Sequence, residues 1–265
     1  MTTALTVGSD DPALLSRFGR TLASLPVSYA GAEPDTAPQV AVVSGERDWP
    51  QRATDAIERG CKALIVVDPG MTAPEAIVAL ADLAERQGVI VELAERFAGD
   101  ATLVHHRREL AQHLVAVSTI LITQIGAFAD QASAALDMLR TLRGLGQSVT
   151  LDRLWTTGQT VGIRGTAGAM LIEGLATAGT AAAGQRLQAL GFGRTLSMTL
   201  HGDGSAGPSD IRIANMKGER KWPGVYQSAD RAAWRRVVDA LAIHASADAT
   251  VLRHLADDIA MIGRL

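Results

Sequence analysis

The sequence predicts an α/β protein in two parts: a parallel sheet covered by helices on both faces, then a largely antiparallel open sheet with helices of its own. Two observations carry this. Through residue 95, short apolar runs alternate with helical stretches, the rhythm of strands joined by crossover helices. From Ser148 to about Met216, apolar runs follow one another with no helical stretch between them, as in an antiparallel sheet. A third feature links the parts: Gly126 to Gly144, GAFADQASAALDMLRTLRG, reads as one helix with both ends marked.

Ala4–Val7 is an apolar run ending at Gly8 and reads as the first strand. Pro12 suits the first turn of the helix that follows. Leu14, Leu15, Phe18, Leu22 and Leu25 give that helix its buried face. Val27–Ala30 reads as a second strand, and the turn-rich AEPDTAP separates it from a third, Val40–Val43. The third run is apolar throughout, as in a strand buried on both faces. Pro50–Arg59 reads as a helix stopped by Gly60, and Lys62–Val67 as a fourth strand closed by Asp68-Pro69-Gly70. Ala73–Gln87 is a long helix ending at Gly88, and Val89–Leu93 is a fifth strand. In such a sheet the C-terminal strand ends share one edge, where ligands bind. Gly8, Ser44-Gly45 and Asp68-Pro69-Gly70 fall along it.

Leu103–Leu114 is a polar helix containing His and Arg, and Val115–Ile125 reads as a strand delivering the chain to the marked helix. Asp130 is a natural N-cap, because its carboxylate can accept the free amide hydrogens of the first turn. Gly144 suits the left-handed residue that ends a helix. Ala132, Ala135, Leu136, Leu139 and Leu142 make the buried face. Asp130 and Asp137 sit two turns apart. The strands that follow are SVTLDRLWTT, TVGIRG, GAMLIEGLATA, RTLSMTLHGDG and DIRIANM; Ala229–Ala242 and Ser246–Ile262 are closing helices, the second capped by Ser246 or Asp248. The expected domains are 1–120 and 121–265.

Composition excludes several functions. A formal net charge of −3 gives no overall basic field for nucleic acid or an anionic membrane. Aromatic residues are only 4%, which leaves few platforms for stacking bases. A single cysteine rules out an intramolecular disulfide and fits a reducing compartment. Cys61 lies between a glycine and an apolar strand and reads as a buried structural thiol rather than a nucleophile. No basic region precedes the apolar residues of MTTALTVGSDD, so no signal peptide is expected. The longest apolar regions are broken by polar residues, so no membrane span is expected either. The expected location is the cytoplasm.

The order of elements, with GAFADQASAALDMLRTLRG at its centre, resembles the Gfo/Idh/MocA family of NAD(P)-dependent sugar and polyol oxidoreductases. AIERGCKALIVVDPGMTAPEAIVALADLAERQGVIVEL is similar to the segment around that family's Glu-Lys-Pro motif, and ADRAAWRRVVDALA to its late helix. The resemblance implies a Rossmann domain, here reduced, followed by an α/β domain whose open sheet binds substrate and packs in oligomers. It places a cofactor turn at Gly8 and Ala13, with Ser44 and Pro69 on the same strand edge. Glu33 is in register for the ribose-binding acid, but with a helix and strand usual in the family missing beside it, the solvated turn residue is the favoured reading.

The departures are chemical. The family's first turn is rich in glycine, so that backbone can approach a pyrophosphate at a helix N-terminus. Here it reads Gly8-Ser9-Asp10-Asp11-Pro12-Ala13, and two carboxylates replace open backbone. A helix and strand usual in the family are absent before Val40. The Lys of Glu-Lys-Pro aligns with Asp68. Asp130 and Asp137 match the family's two carboxylate positions, but Ala134 stands where the family has its proton-shuttling His. The usual hydride-transfer machinery therefore lacks its base and its electrophilic cation.

Other candidates have two readings each. Arg96 follows the fifth strand and suits an anionic or hydroxylated ligand, or a surface salt bridge. Trp155, with Trp222 and Tyr226, packs against a ligand or fills a core or dimer contact. His105, Glu109 and His113 could share a helix face and hold a metal or relay a proton, yet their helix is polar all round and reads as solvated; no metal site is expected. His201 and Asp203 form a catalytic pair or simply a loop.

These observations predict a protein that has lost normal NAD(P) redox chemistry and needs no cofactor. It would bind a small polyhydroxylated, sugar-like molecule, or act as the non-catalytic partner of a related dehydrogenase in a homo- or hetero-oligomer. One alternative is an NAD- or NADP-dependent oxidoreductase with relocated catalytic residues, Asp130 or Asp68 supplying the acid/base group. Another is a cofactor-independent lyase or isomerase using Asp130.

Overall fold

The computed structural model describes residues 4–9, 11–32, 36–46, 48–180, 182–202 and 207–265. Its first elements follow the expected alternation: β1 (Leu5–Ser9), α1 (Pro12–Ala23), β2 (Tyr29–Gly31), β3 (Val40–Ser44), α2 (Trp49–Glu58), β4 (Ala63–Val67), α3 (Pro74–Gln87) and β5 (Ile90–Ala94). The five strands pair in parallel in the order β2-β1-β3-β4-β5. Strand β4 is apolar and buried along its length and β3 is so as far as Ser44, the pattern of a sheet covered on both faces. The strand order reverses between β1 and β3, the place where ligands bind in folds of this kind. Strand β2 reaches β3 by residues 32–39, and no helix is formed there among the described residues. Helix α3 ends as expected, with Gly88 in the left-handed conformation (φ 68°).

The chain then builds a second sheet from α4 (Ala101–Leu114), β6 (Thr119–Gly126), α5 (Gln131–Gly144), β7 (Thr150–Thr157), β8 (Thr160–Ala167), β9 (Met170–Ala178), β10 (Gly184–Gly191), β11 (Arg194–His201), β12 (Asp210–Asn215) and β13 (Gly218–Lys221). The strand order is β13-β12-β11-β10-β6-β9-β8-β7. Only β6 and β9 run parallel; every other pair is antiparallel. Strand β6 starts later than its apolar run because Val115 still has helical geometry and caps α4. Alternate residues Ile120, Ile122 and Gln124 of β6 are buried, while Thr123 and Ile125 are exposed.

The end of α5 differs from expectation. Gly144 is inside the helix, Leu145 is its C-cap, and the left-handed glycine is Gly146 (φ 79°). Gly144 is small for another reason: a Cβ there would lie 3.4 Å from Leu103 of α4 and 3.6 Å from the Ala98 carbonyl. The glycine lets two helices approach.

Two helices close the chain, α6 (Ala229–Ala242) and α7 (Thr250–Gly263). Asp248 caps the latter, its carboxylate accepting from the Thr250 amide at 2.9 Å. Trp234 of α6 meets Phe18 of α1 edge-to-face at 5.9 Å, within a core that includes Val7, Val40, Val42 and Ile65. The compact units are accordingly Met1–Glu95 with Asp230–Ile259, and Arg96–Ala229 with Ala260–Leu265. The first unit is discontinuous in sequence.

Candidate functional site

The turn after β1 is where a dinucleotide's pyrophosphate would need backbone donors. The described donors at the start of the helix are already engaged. The Asp11 carboxylate caps α1 by accepting from the Ala13 amide at 2.8 Å, the Asp11 amide donates to Ser9 Oγ at 3.1 Å, and the Leu14 amide donates to the Asp11 carbonyl at 3.1 Å. Pro12 has no amide hydrogen to offer. Ser9 Oγ in turn donates to the Val42 carbonyl at 2.8 Å. Above Gly8 the space is filled by Pro38, 3.0 Å from where a Cβ would sit, with Ala32 at 3.6 Å. The crossover from β2 thus lies over the glycine that would let a phosphate approach. What remains is a cavity of about 150 Å³ bordered by Gly8, Ser9, Thr36, Pro38, Arg52 and Arg59. Clefts that enclose drug-sized ligands measure roughly 300–1,000 Å³. The described residues of this turn do not fit a dinucleotide. Glu33 and Asp10 lie outside the described residues.

Ser44, Asp68 and Pro69 sit on the same strand edge. Their two turns are locked together: the Gly45 amide donates to the Val67 carbonyl at 2.7 Å and the Gly70 amide to the Gly45 carbonyl at 2.8 Å. The Ser44 carbonyl accepts from Arg52 at 2.8 Å, and Trp49 Nε1 donates to the Gly70 carbonyl at 3.3 Å. Asp68 is held in the left-handed region (φ 47°), its amide bonded to the Ala94 carbonyl at 3.0 Å. Its carboxylate lies 3.6 Å from the guanidinium of Arg17 on α1. That guanidinium also makes a bidentate, charge-assisted contact with Asp230, at 3.0–3.2 Å. The end of β4 thus presents a carboxylate beside a cation from α1, and that cation is shared between two acids.

Asp130 and Asp137 have distinct surroundings on α5. Asp130 is exposed and caps the helix, accepting from the Ser133 amide at 2.7 Å. Asp137 accepts from Gln124 Nε2 of β6 at 3.1 Å. Gln124 Oε1 accepts from Gln185 Nε2 of β10 at 2.6 Å, and Gln185 Oε1 lies 2.7 Å from Thr141 Oγ1 of α5. Gln124, Gln185 and Thr141 are buried, so Asp137 ends a polar network that fastens α5 to the sheet. Ala134, which the sequence resemblance sets against a histidine, is fully buried.

Arg96 Nη1 reaches the Ala127 carbonyl at 3.5 Å, a weak contact on the chain leading into α5. Trp155 on edge strand β7 lies across its partner Gly162, where any Cβ would collide with the indole, and Arg153 stacks 5.5 Å from the ring. Asp68, Gly8, Ala13, Ser44 and Pro69 belong to the first unit; Asp130, Asp137, Arg96 and Trp155 belong to the second.

In the histidine helix it is His106, rather than His105 or His113, that turns inward. His106 is buried, stacks on Trp222 at 5.8 Å, meets the Pro223 carbonyl through Nε2 at 2.9 Å, and has Glu109 at 3.6 Å from Nδ1. Among the described residues no three His, Cys, Asp or Glu side chains are grouped to hold a metal. Trp222 is core, whereas Tyr226 is exposed. Cys61 is buried, and burial pushes its thiol pKa up to about 11, which suits a structural thiol. Among the described residues no helix is long and apolar enough to cross a membrane. His201 is exposed, and Asp203 lies outside the described residues.

Sequence reasoning missed Arg17, Asp230, Gln124 and Gln185. Gln124 had a signal, since it continues the inward alternation of β6; Gln185 had none, because it breaks the apolar pattern of its own strand. Arg17 had none, because its partners are remote in the chain.

No sequence profile of a known protein family matches the chain, and no curated protein sequence matches it. Solved structures do match, over nearly its whole length. One is the UDP-N-acetylglucosamine 3-dehydrogenase GnnA from Acidithiobacillus ferrooxidans, with TM-score 0.73 and 12% identity over 98% of this chain and 97% of that one. Another is the dehydrogenase MviM from Clostridium difficile, with TM-score 0.68 and 9% identity over 99% of this chain and 100% of the other. A third is KijD10, a 3-ketoreductase from Actinomadura kijaniata in complex with TDP-benzene and NADP, with TM-score 0.67 and 11% identity over 98% and 95%. The chain has the fold of these Gfo/Idh/MocA-type oxidoreductases, as the sequence resemblance implied. At such identities the likeness is one of fold.

Proposed function

We propose that this chain is a cofactor-free relative of the Gfo/Idh/MocA oxidoreductases that binds a small, sugar-like molecule or serves as the non-catalytic subunit beside a related dehydrogenase. One observation carries the reading. The described amide donors at the start of α1 are taken by Ser9 and Asp11, and Pro38 covers Gly8, so the described residues of the turn offer a pyrophosphate neither donors nor room. Two further features support it. Asp68 replaces the usual lysine and is engaged with Arg17, and Ala134 replaces the usual histidine within the core. The ligand class rests on neighbours of the same fold: one is named as a dehydrogenase of UDP-N-acetylglucosamine, another was captured with TDP-benzene.

Calorimetric titration of the full chain with NADH and with NADPH tests the reading. The expected result is no heat of binding in the micromolar range. Micromolar affinity for either dinucleotide would overturn it. A second reading, an active reductase with Asp130 as its acid/base group, is favoured by the NADP in KijD10 and by the exposure of Asp130 at the start of α5. NADPH-dependent turnover of sugar-like substrates, lost in Asp130→Ala with the fold intact, would establish that reading instead.

A further inference from the structure

One rim of the second sheet differs from the rest of the surface. It is formed by the β10–β11 turn, the β12–β13 turn, the loop from α4 into β6, and the β8–β9 turn. The first two touch: the point where a Gly193 Cβ would sit is 3.8 Å from Cγ and Sδ of Met216. The third lies beside them, since the Ser118 amide donates to the Leu190 carbonyl at 2.9 Å and any Cβ on Gly191 would collide with the Ala116 carbonyl. The fourth follows, the Leu171 amide donating to the Ser118 carbonyl at 2.9 Å.

This rim carries large apolar side chains in full contact with solvent. Phe192 is 102% exposed, Met216 92% and Val115 86%, with Leu190 beside them at 37%. Segments 112–119, 167–170, 189–195 and 214–218 contain no Asp or Glu, in a chain with 28 acidic residues. They do contain Arg194 and Lys217, neither of which has an ion-pair partner among the described residues. Along edge strand β13, Arg220 adds a further positive charge, while Glu219 is paired with Arg212 at 3.3 Å and Lys221 with Asp210 at 3.1 Å. The net charge of −3 therefore conceals a local cationic rim.

We propose that this rim docks on an anionic lipid surface, with Phe192 and Met216 entering the boundary between headgroups and acyl chains while Arg194 and Lys217 pair with the headgroups. Shape decides between lipid and protein. The apolar groups stand on convex turn tips, and a bilayer interface receives such tips without a matching pocket, whereas a protein partner must supply one. Charge agrees, because juxtamembrane Lys and Arg are drawn to anionic leaflets, and the neighbouring carboxylate of Glu219 is paired with Arg212. The Lys217 amide donates to Asn215 Oδ1 at 2.8 Å, which holds the Met216 turn in place. The site is independent of any dinucleotide or sugar binding.

Flotation of the full chain with vesicles tests the proposal. The protein should float with vesicles of phosphatidylcholine containing phosphatidylserine, and much less with phosphatidylcholine alone. Added salt should weaken the binding. The double variant Phe192→Ser, Met216→Ser should lower the partition coefficient by about tenfold or more, and Lys217→Glu should lower it on phosphatidylserine vesicles. These side chains are exposed, so melting temperature should not change; Phe192→Trp should retain binding. The proposal is overturned if the wild type stays in the aqueous layer with both vesicles, or if the double variant floats as well as the wild type. Capture by an acidic protein without vesicle binding overturns it equally.

Discussion

A methyl group on residue 45 has nowhere to go. It would overlap the Asp68 carbonyl and the Pro69 Cα, because the turns after β3 and β4 pack directly on one another. Gly45→Ala should therefore destabilise the protein by about 1–3 kcal/mol, the usual cost of overpacking, read as a lower urea midpoint at unchanged slope. Glu92 offers a second test. Burial raises its carboxyl above the ordinary 4.5, and the hydrogen bond and charge of Arg236 oppose the rise without cancelling it. The folded chain thus holds this proton more tightly than the unfolded chain. Stability from this group is fully present below pH 4.5 and falls as pH rises through the elevated folded value. Glu92→Gln removes that titration. The stability of wild type relative to the variant should decline across this window and then level off; a difference constant with pH would refute the assignment. Sequence marked both turns at the strand edge through their Gly and Pro residues. It could not mark their mutual packing, nor the sharing of Arg17 by Asp68 and Asp230, because these contacts join segments with no local pattern in common.

Helices and parallel strands were legible because their apolar spacing is regular and their ends carry Pro, Asp or Gly. Asp130 caps α5 as its position implied. The other end was misplaced by two residues, since Gly144 and Gly146 look alike in sequence and only the second needs a positive φ. Strand β10 was missed for a physical reason. Its inward positions hold Gln185, Leu187 and Ala189, so a polar residue interrupts the apolar alternation. That residue is tolerated because Gln124 and Thr141 satisfy it. Gln185→Leu should strand the Gln124 amide oxygen and cost about 1–3 kcal/mol. The double change Gln124→Leu, Gln185→Leu should recover part of the loss, since no buried half-pair remains between the strands. A double-mutant cycle of urea midpoints measures the coupling, and strict additivity would show the network to be energetically idle.

At the scale of the molecule, the fold class was readable from element order, but the discontinuity of the first unit was not. Helix α6 is amphipathic in sequence, and amphipathicity does not say which sheet it covers. The structure assigns it to the first, through Trp234 against Phe18. A chain ending at Ser228 should consequently lose the first unit while retaining all strands of both sheets. The measurement is soluble yield together with near-ultraviolet circular dichroism, and a soluble, natively structured truncation would contradict the assignment.

The same discontinuity sets a timetable for synthesis. A ribosome delivers all five strands of the first sheet before residue 96, yet the helix that seals Phe18 arrives only after every strand of the second sheet has been made. At 5–20 residues per second the delay is on the order of ten seconds. Through that interval the nascent chain carries an unsealed apolar helix face, and a chaperone waiting at the ribosome meets it before its own tryptophan does.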